Sequence, residues 1–270
     1  MNKKWLSFPY LLWAIGFIII PLCMVFYYGF TDRDGVMTFE NVVAIFSPEH
    51  RKALFLALLL SLISTILCII LAYPLSLILA KMGNGKNSFL VIIFILPMWM
   101  NFLLRTLAWQ TLLEKNGVIN SILTYLHLPS LTIINTPAAI ILGMVYNFLP
   151  FMVLPIYNSL SKIDPNVMNA ARDLGANGFQ AFLKITLPLS MPGVISGITM
   201  VFVPALTTFV ISTLLGGSKI LLIGNVIEQE FTQAGNWHLG SGLSVVLMIF
   251  IVISIVVSSL SDKDGEGAGF

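Results

Sequence analysis

The groups able to do chemistry in this sequence are few, and their spacing excludes most of it. His50, His127 and His238 fall in separate polar connections, without the short spacing that lets imidazoles share a metal ion. Cys23 and Cys68 lie far apart, each inside an apolar run, as packing thiols do. No glycine-rich phosphate loop occurs, so the chain is not expected to hydrolyse ATP itself. An intramembrane enzyme would need clustered catalytic groups, and none are close in sequence.

The pattern that does point to work lies between Asp164 and Pro192. Asp164 suits a helix N-cap and Pro165 the first helical position. Val167, Ala170, Ala171 and Leu174 then recur at helical spacing, a narrow apolar stripe of mostly small side chains. Gly175 supplies the left-handed residue that ends such a helix. A second short helix is expected after it, with Phe179, Phe182 and Leu183 on one face, until Leu187-Pro188 leads onward. So short a helix is marginal alone in water, and its small-residue face has to pack on something. Docking into the groove of a cytoplasmic partner accounts for both the length and the stripe. An Ala-rich stripe is too weakly apolar to anchor well as a membrane-surface helix.

The elements that position this loop are membrane spans. The chain of 270 residues is 57% hydrophobic and 10% charged, where a soluble domain carries about 25% charged residues. Its mean hydropathy is +0.94. A net charge of +2 without any Lys/Arg-rich run argues against a nucleic-acid partner. Six stretches offer the roughly 20 mostly apolar residues of a spanning helix: 9–30, 53–80, 88–112, 136–160, 193–215 and 242–261. They make residues 1–270 one transmembrane unit, with 161–192 as its longest loop on the coupling side. The first stretch exceeds a signal-peptide core and ends in Phe26-Tyr27-Tyr28 instead of a small-residue cleavage site, so it is expected to be retained. Lys3, Lys4, Lys81, Lys86, Lys162, Arg172, Lys184 and Lys263 fall on one side, and Arg33, Arg51, Lys52, Lys115 and Lys219 on the other. That bias places both termini in the cytoplasm. Pro74, Pro97, Pro150, Pro155 and Pro204 fall inside spans and are expected to bend them.

The run Asn169-Ala170-Ala171-Arg172-Asp173-Leu174-Gly175-Ala176, followed by Ile185-x-Leu187-Pro188 and Pro192-Gly193, resembles the EAA loop of ABC-importer permeases. Leu96-Pro97-Met98-Trp99-Met100-Asn101 and Leu104-Arg105-Thr106-Leu107-Ala108-Trp109 are similar to spermidine/putrescine permeases of the B type. So are Tyr146 to Met152 and Pro204 to Ile211, with Leu214-Leu215-Gly216-Gly217 close behind, so the resemblance runs over nearly the whole chain. It implies an all-α, polytopic type I ABC-importer permease fold with six transmembrane helices in a bacterial cell membrane. The partners it implies are a second permease subunit, an ATP-binding subunit dimer and an extracytoplasmic polyamine-binding protein. No cofactor is implied. By the same resemblance Asn169, Ala170, Ala171, Arg172, Asp173, Leu174 and Gly175 form the ATPase-coupling segment. The family's first position is usually acidic and here it is Asn169, so the acidic role is not carried over to it. Related permeases carry amino acids, sulfate or iron chelates, which leaves the cargo open at this point. A channel would show filter segments or charge rings, and an ATP-independent secondary transporter would leave the Asp164–Pro192 loop without a task.

A polyamine is a slender chain of ammonium groups, held by acidic, carbonyl and aromatic groups. Trp99, Asn101, Trp109, Tyr146, Asn147, Phe148 and Phe209 are the candidates to face a path, with ordinary packing or the interfacial aromatic belt as competing uses. None of the six core stretches contains a carboxylate, which points recognition towards a binding protein. Arg105 is the one charge well inside a span, expected near its external end, snorkelling or pairing with a companion subunit. Glu228 and Glu230 fall in an external segment, Lys219–Leu239, where Val226, Ile227, Glu230 and Phe231 follow helical spacing. A cation, a docking protein or plain solvent would each suit them there.

Overall fold

The computed structural model describes residues 8–82 and 96–266 of the chain, and these are helical apart from short connections and one isolated bridge, Thr31 to Met37. Lys3, Lys4, Lys86 and the start of the third expected span, 88–95, lie outside the described residues. The principal helices are α1 (Pro9–Gly29), α2 (Pro48–Lys81), α3 (Phe102–Leu113), α4 (Pro137–Leu160), α5 (Pro165–Asp173), α6 (Gly178–Thr207), α7 (Val210–Gly216), α8 (Ile223–Thr232) and α9 (Trp237–Glu266). Among the described residues, five of these, α1, α2, α4, α6 and α9, are long and apolar enough to cross a membrane.

Helix α2 begins five residues before its apolar run because the polar residues ahead of it cap it. The Ser47 hydroxyl accepts from the His50 amide at 3.4 Å, and Pro48 takes the first turn, where its missing N–H costs nothing. Its buried face is a line of small side chains: Ala57, Ser61, Ser64, Cys68, Ala72 and Ser76 are all fully buried. Lipid tails are as apolar as any side chain, so helices in a membrane gain little from hiding apolar surface. Close backbone approach through small residues holds them together instead. The serines also find acceptors across the gap, Ser76 Oγ donating to the Val153 carbonyl at 3.1 Å and Ser64 Oγ to Met144 Sδ at 3.4 Å.

Helix α4 packs along both α2 and α6, which also meet each other. On the α6 side the approach is tighter still. A Cβ on Gly193 would stand 2.6 Å from the Pro155 carbonyl oxygen and 2.6 Å from Ser159 Cβ, and one on Gly197 would stand 2.6 Å from Met152 Sδ. Tyr73 of α2 reaches across to α6, its hydroxyl 2.7 Å from Ser190 Oγ, while its ring meets Phe182 edge-on. At the far end from α5, α9 grips α1: His238 Nδ1 lies 2.7 Å from the Thr31 carbonyl, and the His238 ring stands edge-on to Tyr28.

The fifth span differs from the stretch 193–215 read in the sequence. Helix α6 starts at Gly178 and passes Pro188 and Pro192 unbroken. A π turn at Phe182–Thr186 sits just ahead of Pro188, and its wider hydrogen-bond spacing accommodates the donor that proline lacks. The helix then stops at Thr208, which is extended (ψ 135°), and resumes as α7. Asn225 seals this break. Its Nδ2 donates to the Phe209 carbonyl at 3.1 Å and to Thr213 Oγ1 at 2.8 Å, while its Oδ1 accepts from the Leu222 amide and from Ser212 Oγ. Irregular backbone is tolerated within a membrane bundle where the protein supplies such partners. The segment after α7 therefore turns back on the end of α6 and does not form a free connection.

Gly193→Ala is expected to lower the detergent-solubilised melting temperature by an amount equivalent to about 1–3 kcal/mol, since both atoms it meets belong to or adjoin the α4 backbone. Gly16→Ala on α1, where nothing lies within 4 Å of the new methyl, serves as the neutral comparison. Equal melting temperatures for the two variants would contradict the packing described.

Candidate coupling loop and transport path

The short helix α5 is capped at both ends by its own residues. Asp164 accepts from the Asn166 amide at 2.9 Å, and Pro165 opens the first turn. At the other end Gly175 is left-handed, φ +83°. Its amide donates to the Arg172 carbonyl at 2.9 Å and that of Ala176 to the Ala171 carbonyl at 3.0 Å, the paired bonds of a Schellman motif. Asn177 and Gln180 then exchange hydrogen bonds of 2.8 and 3.0 Å, a capping box that starts α6. The second helix of the loop is thus the foot of a membrane span, with Phe179, Phe182 and Leu183 on its first turns.

The apolar stripe divides between two faces. Ala171 turns inward and is buried, as is Ala181 of α6. Met168 lies on the same inner side, its sulfur accepting from Thr186 Oγ1 at 3.7 Å. Val167, Ala170 and Leu174 point outward, and so do Asn169, Arg172, Asp173 and Gly175. Leu174 is 89% exposed and Phe179 is 69% exposed, so two large apolar side chains flank the glycine corner, uncovered among the described residues. These bare apolar groups sit beside a helix capped at both ends by its own residues. A cavity of about 890 Å³ opens beside it between the feet of α4 and α6, lined among others by Pro155, Ser159, Lys162, Asp164 and Gly193.

The path candidates separate into groups. Trp99 is 87% exposed. Asn101 caps α3, its Oδ1 accepting from the Leu103 and Leu104 amides at 2.9 and 3.2 Å. Trp109 meets Tyr146 edge-on with ring centroids 5.2 Å apart, and the Arg105 guanidinium lies 5.9 Å from the centre of the Tyr146 ring. Arg105 is buried in the bundle against the Tyr146 ring. Asn147 and Phe148 face inward, Asn147 Nδ2 donating to the Gly143 carbonyl at 2.8 Å and Phe148 stacking on Phe102. Phe209 stands apart from all of these at the α6 break, half open beside Glu228 and Phe231 of α8. Among the described residues no group of three or more His, Cys, Asp or Glu could hold a metal ion.

Sequence reading missed Tyr73, Ser190 and Asn225, whose partners lie on other elements. The only local signal for Asn225 is a lone amide in the apolar run Leu221 to Ile227.

Comparison with known proteins adds the following. The family model described as "Binding-protein-dependent transport system inner membrane component" matches residues 4–262. The chain is 38% identical over 259 residues to the spermidine/putrescine transport system permease protein PotB of Haemophilus influenzae, covering 93% of this chain and 91% of that protein. It is 37% identical over 253 residues to the protein of the same name from Escherichia coli K12, covering 91% and 92%. Among solved structures it is similar to a bacterial ABC transporter involved in the import of the acidic polysaccharide alginate, with a TM-score of 0.80 at 18% identity over 100% of this chain and 98% of that one. At that identity the likeness concerns the fold alone.

Gly175→Ala should loosen α5 through backbone strain alone, because nothing lies within 4 Å of the new methyl while φ stays at +83°. Hydrogen exchange of the α5 amides is expected to quicken about fivefold, the equivalent of about 1 kcal/mol. Gly178→Ala, equally open and without a positive φ, should leave exchange unchanged.

Proposed function

This chain belongs to the binding-protein-dependent transport system inner membrane components, all-α multi-pass proteins with the type I ABC-importer permease fold, and on that premise we propose that it is the permease subunit of an ATP-driven importer of spermidine and putrescine. The cargo follows the two named relatives, each of which this chain matches over more than nine tenths of its length. ATP hydrolysis belongs to a separate subunit, present as a dimer. A second permease completes the membrane domain, and an extracytoplasmic polyamine-binding protein delivers the cargo. Both termini lie in the cytoplasm, which puts α5 with Lys162, Arg172 and Lys184 on the cytoplasmic face of the cell membrane.

The observation that carries this reading is the bare face around α5. Val167, Ala170, Leu174 and Phe179 insert into a cleft of the ATP-binding subunit, with Asn169, Arg172 and Asp173 as its polar rim and Gly175 as the corner. Burying Leu174 and Phe179 there contributes about 1.5–3 kcal/mol each. Nucleotide-driven closure of the two ATP-binding subunits moves α5. The foot of α6 moves with it, because the capping box starts α6 two residues after Gly175 and Tyr73 pins that foot to α2. The spans then reorient around a central path to which Trp99, Asn101, Tyr146, Asn147, Phe148 and Phe209 are assigned as candidates, with Asn147 and Phe148 reaching it only when the helices move apart.

Co-purification with the ATP-binding subunit, followed by uptake in proteoliposomes, tests this. Leu174→Asp is expected to weaken association at least about tenfold and to abolish ATP-dependent uptake, while the melting temperature of the permease itself stays put, the side chain being open to solvent. Normal assembly and uptake by that variant would sink the coupling role. Competition of labelled spermidine with putrescine, sulfate, amino acids and iron chelates reads the cargo: only putrescine should compete.

A further inference from the structure

The segment between Lys219 and Leu239 is not a solvated connection. Helix α7 ends at Gly216, where the Asn135 amide donates to the Leu215 carbonyl at 2.8 Å. A 3-10 turn at Gly217–Lys219 follows, Ile220 and Leu222 are extended, and α8 begins deep in the bundle, with Leu222 and Ile223 fully buried. Gly224 seats this helix directly on the α6 break: a Cβ there would stand 2.8 Å from the Thr207 carbonyl oxygen and 3.1 Å from that of Thr208. One turn further along α8 is Glu228. A carboxylate thus reaches the end of a membrane span, although none of the spans contains one in sequence.

Glu228 lines a cavity of about 440 Å³ with Thr207, Phe209, Phe231, Thr232 and Met248. That volume is within the range of small-molecule sites, about 300–1,000 Å³. The features meeting there share one electrostatic sign. Among the described residues, Glu228 is the only charged one lining the cavity. Phe209 and Phe231 add aromatic rings to the lining, and such rings attract cations over their faces. Helix α6 ends at Thr207, so the negative end of its dipole and its last carbonyls point the same way, as broken helices do at the cation sites of transporters. Among the described residues, the one side-chain hydrogen bond to the Glu228 carboxylate comes from Thr232 Oγ1 of the same helix, at 2.9 Å. Among the described residues no Lys or Arg lines the cavity.

We propose that Glu228, flanked by the rings of Phe209 and Phe231 at the α6 break, is a binding station for one protonated amine of a di- or polyamine cargo. The proposal rests on the amine-import reading above. The carboxylate takes the ammonium group, the rings cover its adjoining methylenes, and the rest of the cargo chain extends into the path.

The test uses the complete importer in proteoliposomes, with spermidine and putrescine as probes and Glu228→Gln, Glu228→Asp and Phe231→Leu as variants. Glu228→Gln keeps the oxygen that Thr232 bonds and removes only the charge, so a purely structural glutamate would tolerate it. Uptake at sub-saturating amine is expected to fall about tenfold or more, with Glu228→Asp recovering most of it and Phe231→Leu losing about threefold. Wild-type vesicles that import no amine overturn the cargo reading and the station with it. Wild-type import together with unchanged uptake in Glu228→Gln overturns the station alone. If Glu228→Gln fails to co-purify with its partners, Phe231→Leu decides: unchanged uptake overturns the proposal and reduced uptake supports it.

Discussion

The contact on which the rest of the structure depends is the approach of α6 to α4 at the level of the backbone. In lipid there is no gain from hiding apolar side chains from water, so helices stay together only where their surfaces mesh closely. Gly193 and Gly197 bring α6 within side-chain reach of the Pro155 carbonyl and Met152, and the small, buried face of α2 packs along α4 as well. These three helices form the frame. The α5 foot, the α7–α8 hairpin and the aromatic clusters are all hung from it, and the hydroxyls of Ser64, Ser76 and Tyr73 add direction to a contact that is otherwise steric.

Local signals made much of this architecture legible in the sequence. Asp164, Pro165 and Gly175 bound α5 because helix caps are written in the residues beside them, and the structure shows each in its expected geometry. Long apolar runs likewise announce spans. What was not legible depends on residues distant in sequence. The end of the fifth span looks set by Pro188 and Pro192, yet a π turn carries the helix past both. The break at Thr208 has no breaker residue next to it, since Asn225 of another helix satisfies its backbone. Within an almost wholly apolar helix, periodicity cannot separate path from core either: Asn147 and Phe148 turn inward while neighbouring Tyr146 turns out. The stripe on α5 shows the same limit on a smaller scale, with Ala171 buried beneath an otherwise outward face.

The polar side chains inside the bundle divide by task. Serines and Tyr73 join helix to helix, Asn225 replaces a missing turn of helix, and Arg105 lies buried against the Tyr146 ring. Each is placed where backbone or a ring supplies a ready partner, which is how a membrane interior accommodates polarity without water. Glu228 is the carboxylate that this scheme brings to the end of a span, and tertiary folding, not span composition, puts it there.

The unbroken course of α6 has a mechanical consequence. Thirty residues of continuous helix make a rod about 45 Å long, with the α5 corner at one end and the Thr208 break at the other. Over that length a tilt of about 10° offsets the two ends sideways from one another by about 8 Å. The fulcrum is the glycine contact with α4, where Gly193 falls near the middle of the rod and Gly197 nearer the break. A push at the foot therefore becomes an opposite sweep at the break that is no larger and is delivered with greater force, so the permease works as a lever whose gear ratio is set by where two glycines fall along one helix.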